Sequence, residues 1–328
     1  MNLPQFVQIE PVGQCNLKCR MCPVVLRDEK PPAFMSVEAF RRLIDQFPGM
    51  EELHLQGLGE PLLHPRFFEM VRYAAARGIR VSTNTNLTAL SPRRAEELVQ
   101  SGLACVHVSL DAADAAAYEY IRVGARFPKV MRNLRWVMEA KARLGASQPE
   151  VRLVAVAMRR NLEQLAELVR LAHREGVAWL SVQHLAHDFS ESSLPAKYRP
   201  MRDFVDAETL LNEDPARVQR WFGEARAVAG ALGVTLRLPN PAPRPRAEDV
   251  RGRARCDWPW RGAYIAYSGE AMPCCMVATP DRVNFGSMTR DGVAPVWNGD
   301  AYRAFREQLD SDAPPEICKG CAVYQGKF

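Results

Sequence analysis

Three cysteines near the start of the chain, Cys15, Cys19 and Cys22, have the spacing C-x3-C-x2-C. They follow an apolar run, Phe6 to Ile9, that is typical of a β-strand. Most iron–sulfur clusters are held by four cysteine thiolates. Three thiolates in one short segment would leave one iron of a cubane cluster open to a small molecule, which indicates catalysis more than electron storage.

Two other uses of this triplet fit the sequence less well. A structural zinc site normally has four ligands, and the nearest imidazole, His54, lies far along the chain. The cysteine count of 9 is odd, and the N-terminus has no basic and apolar export signal, so a disulfide framework is not expected. Abundant thiols without such a signal predict a cytoplasmic protein.

A second set of cysteines, Cys256, Cys274, Cys318 and Cys321, lies near the other end of the chain. Four thiolates suit either a zinc ribbon or a fully ligated iron–sulfur cluster, and the spacing does not separate the two. Cys275 adjoins this set. In an extended chain its side chain would point away from that of Cys274, so it is either a packed spare thiol or a reactive group facing the substrate.

Composition excludes several classes of protein. The 328 residues are 47% hydrophobic and 25% charged, which is ordinary for a globular chain. No apolar run approaches the ~20 residues that a membrane helix needs, so no membrane partner is expected. The net charge of +5 comes from scattered basic residues, which predicts no nucleic-acid partner.

The elements that must position the cysteines alternate between strand-like and helix-like runs, from Phe6 to about His187, as in a parallel α/β domain. The predicted strands are Phe6–Glu10, Glu52–Gln56, Arg80–Thr85, Ala104–Leu110, Val151–Met158 and Trp179–His184. The predicted helices are Ser36–Phe47, Arg66–Arg77, Pro92–Ser101, Lys129–Leu144 and Leu162–Glu175. Glycines that suit left-handed helix ends follow four of them, at Gly78, Gly102, Gly145 and Gly176. Six β/α units predict a partial (β/α)6 barrel of the TIM type.

Chemistry in such barrels gathers at the carboxyl ends of the strands. The triplet, the segment Gly-Leu-Gly-Glu-Pro at 57–61 and the segment Ser-Leu-Asp at 109–111 all follow predicted strands. Polar residues also recur with period two in four strands, as in the pairs His54/Gln56, Ser82/Asn84, His107/Ser109 and Ser181/Gln183. We interpret them as lining a polar lumen; the alternative is that they satisfy one another.

The chain divides in three on this interpretation: a barrel over residues 1–238, a Pro- and Arg-rich linker over 239–252, and a small α+β domain over 253–328. In the last, a hairpin is predicted with its turn at Ser268 and Gly269. One helix is predicted from Val296 to Leu309, with Trp297, Tyr302 and Phe305 in the core.

The triplet together with segments 57–61 and 108–111 resembles the radical S-adenosylmethionine (SAM) superfamily, and the second set resembles the twitch form of its SPASM domain. The resemblance implies a [4Fe–4S] cluster that binds SAM at Cys15, Cys19 and Cys22. It also implies an auxiliary [4Fe–4S] cluster, with Cys274 rather than Cys275 completing its ligands. Met21 stands where an aromatic residue is commonest in the family, and Gly-Leu-Gly replaces Gly-Gly before Glu60.

The resemblance implies that a 5′-deoxyadenosyl radical, released by reductive cleavage of SAM, removes a hydrogen atom from the substrate. Residues that would contact SAM are carried over by position from the family. They are Gly57, Gly59 and Glu60 for the methionine ammonium, Thr83 or Asn84 and Ser109 for the ribose or carboxylate, Arg122 and Arg159 for the carboxylate, and Gln183 for the adenine. An electron donor such as flavodoxin or ferredoxin is implied.

The overall reaction stays open. The polar lumen favours oxidation or epimerisation of a small polar substrate resembling a sugar or an aminocyclitol, with Cys275 as a candidate hydrogen-atom donor. One alternative is radical maturation of a ribosomal peptide or protein side chain. An alternative of another class is a non-catalytic protein that uses both cysteine sets as zinc ribbons.

Overall fold

The computed structural model describes residues 2–27, 33–185, 189, 191–241, 256–277 and 279–325. Within these residues, nine strands form one sheet in the order β7-β6-β5-β4-β3-β2-β1-β8-β9. They are β1 (Phe6–Ile9), β2 (Glu52–Leu55), β3 (Arg80–Thr85), β4 (Cys105–Ser109), β5 (Glu150–Ala157), β6 (Trp179–His184), β7 (Thr235–Arg237), β8 (Gly262–Ile265) and β9 (Ala271–Met272). Neighbouring strands are parallel, except that β9 is antiparallel to β8.

Helices connect the strands. They are α1 (Val37–Ile44), α2 (Phe67–Ala75), α3 (Pro92–Gln100), α4 (Ala115–Ile121), α5 (Phe127–Leu144), α6 (Leu165–Arg174), α7 (Arg199–Glu208), α8 (Pro215–Leu232), α9 (Trp258–Arg261), α10 (Met288–Asp291), α11 (Val293–Trp297), α12 (Asp300–Asp310) and α13 (Glu316–Lys319). Their ends follow local chemistry. The side chain of Ser36 accepts a hydrogen bond from the Ala39 amide at the start of α1 (3.1 Å).

The partial barrel predicted from the sequence is confirmed. Strand residues alternate between the two faces of the sheet. Leu53, Leu55 and Val81 are fully buried in the apolar core that the helices cover, whereas the neighbouring His54 and Ser82 lie half-buried on the inner face. The six predicted strands are present within one or two residues at each end. The four predicted terminating glycines have positive φ angles, from 60° at Gly145 to 90° at Gly102.

Two elements differ from the prediction. A seventh barrel strand, β7, pairs with β6, but at three residues it is too short to show a period-two pattern in the sequence. The single helix predicted from Val296 to Leu309 is two helices, α11 and α12. The chain leaves helical geometry at Asn298, and Gly299 takes the extended N-cap position of α12. Trp297, Tyr302 and Phe305 are buried as predicted.

The C-terminal hairpin extends the barrel sheet. β8 pairs in parallel with β1, with Phe6 opposite Gly262 and Ile9 opposite Ile265. β8 turns into β9 as predicted, through Gly269 at φ 99°. The predicted linker falls mostly on residues 242–252, which lie outside the described residues, so the three-part division of the chain stays a prediction.

None of the helices in the described ranges combines the length and the apolar character needed to cross a membrane.

Candidate active site

The cysteine triplet occupies the loop between β1 and a 3-10 turn at Pro23–Leu26. Burial raises the pKa of Cys15 to about 11 and that of Cys22 to about 12, and the charge of the Cys19 thiolate contributes to both shifts. The three sulfur atoms are therefore close neighbours in a desolvated site. A cation bound beside such thiols would favour their ionised form, as at a metal site.

Hydrogen-bond donors point at these sulfur atoms. Cys15 Sγ accepts from the Leu17 amide (3.4 Å) and from Asn86 Nδ2 (3.6 Å), and Cys19 Sγ lies 4.0 Å from Arg122 Nη1. Donors of this kind stabilise cluster thiolates and tune their reduction potential.

The spacing of the thiols also distinguishes the possible metal groups. Among the described residues, no three His, Cys, Asp or Glu side chains converge closely enough to bind one metal ion. A zinc site needs every thiolate ~2.3 Å from the same ion. In an iron–sulfur cluster each thiolate binds a different iron, so such close convergence on one point is not required.

A buried ion pair that the sequence analysis missed closes the triplet loop. Arg27 Nη1 lies 3.0 Å from both carboxylate oxygens of Glu10, and the side chains are 4% and 0% exposed. Glu10 also accepts from the amides of Leu58 (2.8 Å) and Gly59 (3.3 Å). One carboxylate thus ties both ends of the cysteine loop to segment 57–61. The available signal was a charged residue placed directly after an apolar strand.

The two glycines of segment 57–61 are required by close packing. A Cβ on Gly57 would lie 2.4 Å from Glu10, and one on Gly59 would lie 1.9 Å from the carbonyl oxygen of Val12. The backbone of segment 57–61 therefore runs directly against the chain that leads into the triplet. The amide of Glu60 donates to Gln14 O (3.0 Å) across this contact.

Glu60 is a buried carboxylate, 3% exposed, held by three donors. It accepts from Thr85 Oγ1 (2.6 Å), the Asn86 amide (2.7 Å) and the Leu62 amide (3.1 Å). Burial raises the pKa of its carboxyl group, an effect that these hydrogen bonds oppose. A ligand ammonium beside Glu60 would favour the ionised form, so the residue fits the role predicted for it.

Strand parity separates the remaining predicted SAM contacts. Asn84 and Ser109 lie half-buried on the inner face at the ends of β3 and β4. Thr83 faces the opposite way, is fully buried and donates to Leu55 O (2.8 Å). Of the pair Thr83 or Asn84, the geometry therefore favours Asn84 as a ligand contact.

Both predicted arginines already have carboxylate partners. Arg122 Nε lies 2.7 Å from Asp111 Oδ2, and the two side chains are 11% and 0% exposed. Arg159 Nε lies 3.3 Å from Glu213 Oε2, and Arg159 Nη2 donates to Asn212 O (3.1 Å). The side chain of Arg122 approaches the triplet at Cys19, whereas the side chain of Arg159 contacts the segment between α7 and α8. Their roles as partners of the SAM carboxylate stay predictions.

Replacing Arg122 with methionine is expected to lower the free energy of unfolding by about 3–5 kcal/mol, because Asp111 would remain as an unpaired buried charge. The matched control is Arg126→Met, which removes an exposed ion pair with Glu119 (3.0 Å) and should cost less than about 1 kcal/mol. Urea unfolding of both variants measures the difference. Equal losses would contradict the assigned role of the Arg122–Asp111 pair.

The second cysteine set surrounds a cavity of ≈ 320 Å³. Its walls include Met21 from the triplet loop and Gln183 and His184 from the end of β6, so one side of it faces the barrel. Most of the remaining wall is apolar, with Val156, Phe305 and Leu309 among its members. Burial raises the pKa of Cys274 well above its usual value. The charges of four neighbouring thiols add to this shift; they belong to Cys275, Cys321, Cys256 and Cys318.

The predicted orientation of Cys275 was wrong. Cys275 lines the same cavity as Cys274 and lies close enough to Cys256 and Cys321 for their charges to raise its pKa. The prediction assumed an extended chain, but a 3-10 turn begins at Cys275 (Cys275–Val277), so consecutive side chains no longer point to opposite sides. Cys275 therefore lies beside the four thiols of the second set.

The polar residues of the inner face bond mainly to one another. His54 Nδ1 lies 2.8 Å from Ser82 Oγ, Gln8 Nε2 donates to Gln56 Oε1 (2.9 Å), and Cys105 Sγ lies 3.6 Å from His107 Nε2. They are on the inner face as predicted, and these contacts already engage several of their polar atoms, while His107 Nδ1 is buried without a partner among the described residues. The lumen is therefore a weaker argument for a polar substrate than the sequence indicated.

Comparison with known proteins agrees with this arrangement. Residues 9–172, half of the chain, match the radical SAM superfamily, and residues 256–322 match the SPASM iron–sulfur cluster-binding domain. The chain is 30% identical to the mycofactocin maturase MftC of Mycobacterium tuberculosis, an alignment that covers 99% of this chain and 77% of that protein.

Two further relatives align over 97% of the chain. Identity is 26% with the PqqA peptide cyclase of Xanthomonas campestris, of which 79% is covered, and 24% with the tungsten-containing aldehyde ferredoxin oxidoreductase cofactor-modifying protein of Pyrococcus furiosus, of which 87% is covered. The fold is similar to that of Streptococcus suis SuiB bound to S-adenosylmethionine, with a TM-score of 0.71 at 16% identity over 99% of this chain and 72% of that one.

Proposed function

The chain belongs to the radical SAM superfamily, and on that premise we propose that this enzyme modifies a peptide or protein side chain. Its cofactors are SAM, the [4Fe–4S] cluster that binds SAM, and an auxiliary cluster. When bound, they supply an organic radical that removes a hydrogen atom from an unactivated C–H bond. The protein itself binds, orients and shields the reacting groups.

We assign the SAM-binding cluster to Cys15, Cys19 and Cys22, and the auxiliary cluster to Cys256, Cys274, Cys318 and Cys321. Glu60 would hold the methionine ammonium, with Gly57 and Gly59 letting its backbone approach the triplet loop. Asn84 and Ser109 face the lumen beside it. Gln183 lies at the exposed end of β6 and in the cavity wall, and we propose that it contacts the adenine.

The observation that carries the substrate class is the relationship to proteins that act on peptides. The chain is 26% identical to a PqqA peptide cyclase over 97% of its length. The apolar cavity does not decide the substrate class, because Cys256, Cys274, Cys318 and Cys321 all line it and the auxiliary cluster would occupy it.

Cys275 bears on the type of reaction. Its thiol is not among the assigned cluster ligands, so it could return a hydrogen atom to a substrate carbon that reaches it, which would make the net reaction an epimerisation. Without that return the net reaction is an oxidation, such as a dehydrogenation or a cross-link. We propose oxidation as the main outcome, because the other four thiols around the cavity are assigned to a redox centre that can accept the electron of a substrate radical.

The test uses the reconstituted protein, SAM and dithionite with two substrate libraries, one of perdeuterated peptides and one of perdeuterated sugars and aminocyclitols. Deuterium is expected in 5′-deoxyadenosine only with peptides, because only a bound substrate that donates the hydrogen atom can label it. Mass spectrometry of the nucleoside and the peptide measures the transfer. Labelling by the sugars and not by the peptides would overturn the proposed substrate class.

A further inference from the structure

The triplet loop has an outer surface that the assigned chemistry does not use. Its residues alternate: Leu17, Cys19 and Met21 are buried, at 1%, 7% and 6% exposure, while Lys18 and Arg20 between them are exposed. The loop is held in this register by hydrogen bonds to the end of α4. The amide of Lys18 donates to Val123 O (2.9 Å) and that of Arg20 donates to Ile121 O (3.0 Å).

This register places two cations directly outside the first cysteine set. Neither Lys18 nor Arg20 forms an ion pair with a carboxylate of the described residues. Arg20 donates from Nε to Tyr120 O (2.9 Å), and its guanidinium lies 4.1 Å from the centre of the Tyr120 ring. Arg160 approaches the same ring at 4.0 Å. Since these contacts fix Arg20 in place, its charge is presented to solvent at a defined position.

Apolar surface accompanies this charge. Large hydrophobic side chains are exposed at four positions of the described chain, namely Val25 (44%), Tyr120 (41%), Leu144 (38%) and Val123 (37%). Tyr120 and Val123 belong to the segment that bonds to the triplet loop, and Val25 follows Cys22 by three residues. An aromatic and apolar centre with cations around it is the composition of a protein-docking surface, whereas isolated exposed hydrophobics need no explanation.

We propose that Lys18, Arg20, Tyr120 and Val123, here called the donor face, dock an acidic one-electron carrier protein. The proposal rests on the proposed function, which requires reduction of the centre held by Cys15, Cys19 and Cys22. One electron leaves the reduced carrier and enters that centre; no atom is transferred. Lys18 and Arg20 are adjacent in sequence to Cys19 and lie on the opposite side of the same loop, so docking at the donor face gives a short path for the electron.

The position of the donor face favours a carrier over an acidic peptide substrate. Met21 lines the cavity, while Lys18 and Arg20 alternate with the buried residues and point to the other side of the loop. A peptide bound at the donor face would therefore lie on the wrong side to reach the cavity. A small, charge-steered contact of this kind is typical of transient electron-transfer complexes.

The test compares Lys18→Glu/Arg20→Glu with a control of equal charge change, Arg42→Glu/Arg93→Glu, whose arginines are exposed on α1 and α3. Calorimetric titration with an acidic [4Fe–4S] ferredoxin at low salt should show about tenfold weaker binding for the first variant. The control should bind normally, and raising the salt to about 200 mM should remove the difference. Lys18→Glu alone should show part of the effect, without disturbing the contacts of Arg20.

Activity assays separate this proposal from the proposed function. With dithionite, all variants should produce 5′-deoxyadenosine like the unsubstituted protein; with reduced ferredoxin, the donor-face variant should be about tenfold slower. Equal weakening in the control, or unchanged ferredoxin binding, would overturn the proposal. So would loss of affinity for an acidic peptide instead of the carrier. Absence of dithionite-driven cleavage in the unsubstituted protein would contradict the proposed function and leave the binding result interpretable.

Discussion

Cys19→Ala is expected to lower formation of 5′-deoxyadenosine by more than about 100-fold, beyond the effect of changing an outer-shell partner of a metal. Cys19 is buried and lies 4.0 Å from Arg122 Nη1, so its loss removes a proposed ligand that no neighbour replaces. Cys318→Ala should instead retain part of the cleavage and lose product formation, because we assign the second cysteine set to a separate centre. Chromatography of the nucleoside and mass spectrometry of the substrate measure the two steps.

The matched control for both is Cys105→Ala. Cys105 is a buried thiol, 4% exposed, that contacts His107 rather than either cysteine set. Its replacement is the same chemical change and should leave both steps within about threefold of normal, the range expected for a modest packing defect. If Cys19→Ala and Cys318→Ala retained equal amounts of product, the division of labour between the two sets would be wrong.

Gly59→Ala is expected to destabilise the fold by about 3 kcal/mol or more, the upper range for forcing atoms into a packed site. The added methyl group would lie 1.9 Å from Val12 O and 2.7 Å from Gln14 O, and both are backbone atoms that cannot swing aside. The forced separation would also move Glu60 away from the triplet loop. SAM cleavage should therefore fall by about 100-fold, as expected when reacting groups are displaced by about 1 Å.

Gly49→Ala provides the comparison, because a Cβ there meets no atom within 4 Å. It should change stability by less than about 1 kcal/mol and leave SAM binding intact. Thermal unfolding and calorimetric titration of SAM test both variants. Normal SAM binding by Gly59→Ala would show that the close contact between segment 57–61 and the triplet loop is not needed for the site.

Much of the site was predictable because its residues form local patterns. Three features each lie at the end of a strand that period-two alternation identifies. They are the cysteine triplet, the segment from Gly57 to Pro61, and Ser109. The same alternation placed His54 and Ser82 on the inner face. It could not show that they bond to each other, since that depends on the register between β2 and β3. The interpretation of a polar substrate assumed that these side chains were free to bind it, and alternation alone gives no information about their partners.

The residues that were missed or misplaced depend on contacts between distant segments or on a local change of geometry. Glu10 and Arg27 meet only because the cysteine loop folds back on itself, and no spacing rule predicts that. Cys275 was placed on the wrong side because the alternation of an extended chain ends where a 3-10 turn begins. Asn298 and Gly299 interrupt a helix whose apolar pattern continues across them, so periodicity hid the break.

The pairing of β1 with β8 has a consequence for biosynthesis. β1 ends at Ile9 and β8 begins at Gly262, so β1 leaves the ribosome long before this neighbour is synthesised. Until then one edge of β1 carries unpaired amides and carbonyls, which are a template for aggregation. The backbone of Glu10, which leads into the cysteine loop, also waits for Ile265 O (2.9 Å). Truncated chains that stop before Gly262 should therefore accumulate in inclusion bodies, and iron loading at the cysteine triplet should require the synthesis of β8.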